Sequence, residues 1–202
     1  CKGIISSTSQ TQTKFSHDRE TVSPGYYAVQ LSDPEVRVEL TATQRAGFHR
    51  YTYTQNEGKG LLLLDLHQGI GWDKMEKAGF SQESECTLSG YRTSTGWARR
   101  QYDFFYAETN KPLRLIENRD TMAVFEFDLD GQPLLIKVGM SAVSTDGARQ
   151  NLQQEIPAWD FDAIEQQAKG LWNAQLSKIN IETDNVQQQR IFYTAMYHSM
   201  VA

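Results

Sequence analysis

Cysteine is nearly absent. Cys1 and Cys86 allow one pair at most, and a single pair is no disulfide framework and does not decide the redox compartment. Positive charge is in deficit: 20 Lys and Arg against 25 Asp and Glu leave a net charge of −5. Such a surface repels phosphate backbones, so no nucleic acid partner is expected. Long apolar runs are missing too. The run Leu61–Leu64 falls far short of the roughly 20 residues of a transmembrane helix, so no membrane span is expected. There is no Gly-rich phosphate loop, no G-x-S-x-G and no nucleophilic Cys/His arrangement. The histidines are His17, His49, His67 and His198, and no two have the spacing of a helical metal pair. An initiator methionine and a signal peptide are also lacking, which reads as a mature or truncated piece. Cys1 in first place also fits a lipid-anchored mature end.

What is present is β patterning. The stretch from Phe15 to Tyr53 reads as a turn followed by strands. Ser23-Pro24-Gly25-Tyr26 fits a type II turn, because proline sets φ at the second position and glycine allows positive φ at the third. Tyr27, Val29 and Leu31 alternate with Ala28 and Gln30. Asp33-Pro34 breaks the run, and Val36, Val38, Leu40 and Ala42 resume it. Period two buries one face and wets the other. Phe48 to Tyr53 continues as a strand, giving an antiparallel meander.

Further along, the continuous apolar run Gly60–Leu66 reads as a strand buried on both faces, and the glycine-rich stretch 67–80 as a loop. Short strands are expected over 82–88 and 90–93, with a turn at Ser94-Thr95-Gly96 and a strand over 102–108. Ala123, Phe125, Phe127 and Leu129 alternate into a core. Asp130-Gly131 reads as a hairpin turn returning through a strand over 134–143. So many short strands imply a sandwich over 15–144.

The period then becomes helical. Asp146 is the expected cap of a short helix ending before Pro157, and Asp160 or Asp162 of a helix over 160–178. Asp184 with Gln187 signals a helix over 185–201. Its apolar face, from Val186 to Met200 and widened by Ile191 and Phe192, is too broad for a surface helix alone.

Three side chains are candidate functional residues, and of these Trp97 reads as a sugar contact. Trp97 lies in Gly96-Trp97-Ala98-Arg99-Arg100-Gln101, where an aromatic face beside guanidinium and amide donors suits a sugar ring. His17 sits near Asp18 and Glu20, and His198 beside Tyr197 on the last helix; either fits a pocket wall. Asp128-Leu129-Asp130-Gly131 begins like a calcium loop, but Gly139 stands where the twelfth-position carboxylate belongs, so the motif fails. No pair of catalytic carboxylates can be singled out.

Phe15-Ser16-His17 with Glu20, Pro24-Gly25-Tyr26-Tyr27, Glu39-Leu40-Thr41-Ala42-Thr43 and Arg45-Ala46-Gly47-Phe48-His49-Arg50 resemble the amino-terminal domain of glycoside hydrolase family 92. So does Gly96-Trp97-Ala98 with Gln101. Phe192-Tyr193-Thr194-Ala195-Met196-Tyr197-His198 resembles the first helix of that family's catalytic domain. The resemblance covers nearly all of the chain from Phe15 onward.

It implies a mainly β fold: an antiparallel β super-sandwich of the galactose mutarotase-like class, linker helices, and the start of an (α/α)6 barrel. Residues 1–14 are then a frayed terminus, 15–144 the sandwich, 145–183 a helical linker and 184–202 the first helix of a truncated barrel. The family implies a bacterial, calcium-dependent, exo-acting α-mannosidase that works with inversion on N-glycans or mannan, in the periplasm, at the cell surface or secreted. Its partners are α-mannoside glycans and the remaining catalytic barrel of the same polypeptide.

The family's Gly-Phe-Ser-His-type loop before Phe15 is missing. Its catalytic carboxylates and calcium ligands are expected beyond Ala202. No catalytic or metal residue is therefore assigned, and the chain alone is expected to be inactive. A free-standing carbohydrate-binding or structural β-sandwich module is the competing reading, and the apolar last helix speaks against it. A mutarotase-like epimerase would need a histidine and a glutamate in one concave sheet, for which His49 and Glu39 are the candidates.

Overall fold

The computed structural model describes residues 13–69 and 71–201. Cys1 lies outside them, as do the Cys1–Cys86 pairing and all but the end of the 1–14 segment.

The expected meander forms as β2 (Tyr26–Ser32), β3 (Glu35–Ala42) and β4 (Ala46–Tyr53), and a strand that the patterning did not announce, β1 (Phe15–Ser23), precedes the turn and pairs antiparallel with β2. Gly25 has φ +83°, the left-handed value a type II turn needs at its third position. The chain continues through β5 (Lys59–Asp65), β6 (Lys74–Ser84), β7 (Thr87–Thr95), β8 (Gln101–Thr109), β9 (Arg114–Arg119), β10 (Met122–Asp128) and β11 (Leu134–Ser141). Eight strands form one sheet in the order β1-β2-β3-β4-β11-β8-β7-β6, and β5-β10-β9 form a second. The fold is the mainly β, antiparallel sandwich that the patterning implies.

Both faces of the large sheet are used. Leu88, Phe105, Ala107, Leu134 and Ile136 point to the small sheet and meet Ala123, Phe125 and Phe127 of β10. On the other face Ala46, Phe48 and Tyr106 meet Ala148, Leu152, Ile156, Phe161 and Ile164. These belong to helices α1 (Thr145–Glu155) and α2 (Phe161–Leu176) and to the link between them. Phe48, Phe125, Leu152 and Ile156 are each fully buried, worth about 1.5–3 kcal/mol apiece relative to exposure. Gly139 lets α1 approach β11, because a Cβ there would stand 2.1 Å from the Ala148 carbonyl oxygen. The last helix, α3 (Val186–Met200), touches α2 alone among these elements and buries no residue.

Several local readings need correction. The stretch 67–80 is not all loop, since β6 begins at Lys74. Its glycines mask the strand: Gly79 sits opposite Tyr91, whose ring occupies the space a side chain would take. Residues 82–88 are the end of β6, a turn at 85–86 and the start of β7. The run Gly60–Leu66 is not buried on both faces. β5 is an edge strand, and Leu61 is 40% exposed. Asp130-Gly131 turns with Gly131 at φ +78°, but β10 and β11 lie in different sheets, so the connection is a crossover. Lys111 anchors it: buried, its Nζ donates to the Asp130 carboxylate and to the carbonyl of Gln132 at 2.9 Å.

The caps shift as well. Ser144, not Asp146, caps α1 by accepting from the Gly147 N–H at 3.0 Å. Asp160 caps α2, which leaves Asp162 for another partner. Asn185, not Asp184, caps α3, accepting from the N–H groups of Gln187 and Gln188. In each case the cap is the extended residue directly before the first helical turn.

Candidate functional site

Trp97 stands in the loop between β7 and β8 and is 91% exposed. Its indole stacks on that of Trp72, with ring centroids 6.4 Å apart and planes 30° from parallel. Trp72 is itself 65% exposed. Two glycines permit the approach. A Cβ on Gly96 would lie 3.2 Å from Asp73 Cα and 3.4 Å from Trp72 Cδ1, and one on Gly69 would lie 2.7 Å from Asp73 Oδ2.

Next to Trp72 in the chain is Asp73, whose Oδ2 lies 2.6 Å from Arg92 Nη2 on β7. No N–H of that nitrogen is aligned for a hydrogen bond, so the contact is an ion pair by proximity. Arg92 Nε donates to the Leu66 carbonyl at 3.1 Å. The Ser94 hydroxyl beside Asp73, with the Arg92 charge, holds the Asp73 carboxyl below its usual range against the opposing effect of burial. Further along the chain, Arg100 lies 3.5 Å from Glu76, and the Gln101 amide donates to Asp103. The surface offers two exposed indole rings.

His17 is at the opposite end of the sheet, on β1. Its imidazole is 87% exposed, and Nδ1 lies 2.7 Å from Glu20 Oε2. The Tyr27 hydroxyl donates to the other Glu20 oxygen at 2.7 Å. The hydrogen bonds from His17 and then Tyr27 lower the Glu20 pKa, and the carboxylate raises that of Tyr27. Glu20 thus fixes the ring and leaves Nε2 toward solvent. His198 lies in the last turn of α3, exposed, edge-on to Tyr197, which packs against Trp172 of α2. β2, β3, β4, β11 and β8 separate β1 from β7, so the sheet does not bring His17 and Trp97 together.

His49 and Glu39 do not share a sheet face. His49 pairs with Leu40, while Glu39 pairs with Arg50, and adjacent residues on a strand point to opposite faces. His49 faces the side of Tyr51 and accepts or donates at its hydroxyl, 2.9 Å away. Burial lowers its pKa and pushes that of Tyr51 up to about 12. The epimerase reading fails on this geometry.

A groove of about 720 Å³ runs along the start of α1, lined by Arg45, Asp103, Met140, Asp146 and Asn151 among others. None of the three candidate residues lines it, and Arg45 is already engaged by Glu155 at 2.7 Å. Among the described residues no three His, Cys, Asp or Glu side chains gather as a metal site. Calcium requires six to eight oxygen ligands, and Asp128 and Asp130 are paired with Lys59 and Lys111. The donors present do not fit that ion.

Sequence patterning missed Trp72, Asp73 and Arg92. The one signal was a tryptophan next to Gly69 and Gly71 in a stretch read as loop; nothing in the spacing joins it to Arg92, 19 or more positions away in a neighbouring strand.

Residues 4–141 match the glycosyl hydrolase family 92 N-terminal domain, and residues 147–202 match the family's catalytic domain. The fold resembles the family GH92 α-mannosidase BT3965 of Bacteroides thetaiotaomicron, with a TM-score of 0.82 and 30% identity over 92% of this chain and 28% of that one. It also resembles the GH92 glycosyl hydrolase ccman5, with a TM-score of 0.80 and 25% identity over 95% of this chain and 29% of that one. A protein of Arthroderma benhamiae called an uncharacterized secreted glycosidase is 24% identical over 92% of this chain and 29% of its own length. The chain therefore spans less than a third of the relatives it matches.

Proposed function

The chain belongs to glycosyl hydrolase family 92, and on that premise we propose that it is part of an exo-acting α-mannosidase releasing terminal mannose from N-glycans or mannan. The observation that carries this reading is the likeness to an α-mannosidase at 30% identity and a TM-score of 0.82. A structure of that same relative in complex with mannoimidazole supports a mannoside-like ligand. The match of residues 147–202 to the catalytic domain weighs against a free-standing binding module.

In this reading mannose leaves with inversion. One carboxylic acid protonates the departing oxygen, and a carboxylate roughly 6.5–9.5 Å away activates water on the opposite ring face. A general acid needs a raised pKa. Glu39, Glu155 and Asp73 have lowered values beside Arg50, Arg45 and Arg92, which is the wrong state for that role. In this reading the catalytic pair lies in parts of the protein outside this chain, as the family resemblance implies. Calcium dependence is part of the same proposal, with its ligands also outside, since the donors here do not fit the ion.

The sandwich contributes one wall. Trp97 stacks on a sugar ring; His17, at the other end of the sheet, and His198, on α3, are candidate contacts apart from it. The relative called a secreted glycosidase supports work outside the cytoplasm, in the periplasm, at the cell surface or secreted, and the likeness to a Bacteroides enzyme supports a bacterial source.

The test is mannose release from an aryl α-mannoside, with calcium and then with chelator. The 202-residue chain should be inactive in both conditions, and the polypeptide carrying the whole catalytic domain active with calcium. Calcium-dependent release by the 202-residue chain would put the catalytic residues within it.

A further inference from the structure

A side chain that is 91% exposed has little to hold it. An indole has a large apolar face and gains about 25 cal/mol for each Å² it removes from water, so an unsupported Trp97 would lie down on the surface. Its aromatic neighbour is Trp72, at 6.4 Å between centroids and 30° between planes. That geometry falls within the 4.5–7 Å range of favourable aromatic pairs. It is too close to admit a sugar between the rings, so the pair presents its outer faces.

The contacts continue along the chain. Trp72 is followed by Asp73, which is ion-paired to Arg92 at 2.6 Å. Arg92 is pinned in turn to the Leu66 carbonyl, and its side chain is only 14% exposed. The Ser94 hydroxyl, wholly buried, stands beside Asp73 and helps to hold its carboxylate. Buried polar groups are costly unless paired, and Arg92 is paired with Asp73 and the Leu66 carbonyl. Gly69 and Gly96 supply the room, since a Cβ at either would collide with or crowd Asp73. Trp72 and Asp73 are thus tied at one point to the loop 96–100, distant in sequence.

We propose that Trp72 and Trp97 form a two-indole platform for a hexose unit of an α-mannoside chain, and that Asp73 and Arg92 are its positioning residues. The proposal rests on the reading of Trp97 as a sugar-stacking residue. The C–H face of mannose covers Trp97, and Trp72 extends the apolar strip. Asp73 and Arg92 touch no sugar; they set the angle at which the rings stand.

The test uses the 202-residue chain, α-linked mannotetraose and isothermal calorimetry, with circular dichroism on the same samples. Two stacked indoles couple and give an exciton couplet that a lone indole does not. Wild type should show the couplet and bind the tetrasaccharide. W97A and W72A should lose the couplet and bind about tenfold more weakly or not at all, the size of a lost aromatic contact. W72F should recover part of the affinity. D73N should weaken both couplet and affinity while the β-sheet spectrum stays intact.

Equal affinity in W72A and wild type overturns the platform, as does an absence of binding by the wild-type chain. A D73N variant that keeps the full couplet overturns the positioning role. None of these outcomes bears on whether the polypeptide with the whole catalytic domain releases mannose from an aryl α-mannoside, so the two readings fail separately.

Discussion

Glu39 on β3 and Arg50 on β4 face each other in register and pair through two hydrogen bonds, Nε to Oε2 at 2.8 Å and Nη2 to Oε1 at 2.9 Å. The same guanidinium reaches α2: Nη1 donates to Asp162 at 2.8 Å, and Cζ lies 4.2 Å over the Phe161 ring. Arg50 therefore joins the sheet to the helix that covers it. The Tyr26 hydroxyl also donates to Glu39, at 2.8 Å.

Removing Arg50 alone should destabilise the chain. Glu39 is 7% exposed, and R50M leaves its charge without the bidentate partner. A cost of roughly 2–3 kcal/mol is expected, below the range for fully buried pairs because Arg50 is partly solvated. The double variant E39M/R50M should recover most of it, since two apolar side chains pack without desolvating a charge. Urea midpoints of the two variants and wild type give the comparison; a double variant no better than R50M would mean that the pair is not the source.

Stability should fall in two steps as pH decreases. Burial lowers the His49 pKa from its ordinary 6.5. The unfolded chain then takes up that proton first, and stability declines as pH drops below about 6.5. For Glu39 and Glu155 burial acts to raise the pKa, but hydrogen bonds from Arg50 and Tyr26, and from Thr43 and Arg45, outweigh it and bring both below 4.5. Their contribution is complete above that value and is lost as pH falls through the lower folded values. Urea unfolding from pH 8 to about pH 3 should show both declines. H49Q should flatten the upper one and leave the lower.

α3 should exchange its amide hydrogens much faster than α1 and α2. None of its residues is buried, and its contact is with α2 alone among the elements described. Val186 and Ile191 are 67% and 61% exposed, so packing adds little to a helix of 15 residues, a length that is marginal on its own. Hydrogen exchange with mass spectrometry resolves the segment. Protection equal to that of α1 would show that α3 has found a partner, either in α2 or in a second chain.

Much of the fold could be read from two-residue alternation. Val36, Phe48, Phe125 and Phe127 announce their strands because a half-buried strand has no other way to distribute apolar residues. β6 escaped because Gly79 yields its space to Tyr91. β9 escaped because Leu115 and Ile116 are both exposed and adjacent, which breaks the alternation. The sheet exchange at Asp130-Gly131 was invisible, since a turn sequence fixes local φ and says nothing about which sheet the next strand joins. Trp97 was visible as an aromatic among donors. Its partner Trp72 was not, because their contact is set by strand pairing between β6, β7 and β8 rather than by any local spacing. The opposed faces of Glu39 and His49 follow from register, which alternation alone leaves undetermined.

The anomeric form of the first product tests the assignment most directly. The polypeptide carrying the whole catalytic domain is incubated with an aryl α-mannoside in the presence of calcium and followed by proton nuclear magnetic resonance. Inversion at the anomeric carbon delivers β-mannose first, with α-mannose appearing later by mutarotation. Early β-mannose is the expected result; α-mannose as the first product, or no release of mannose at all, would contradict an inverting α-mannosidase.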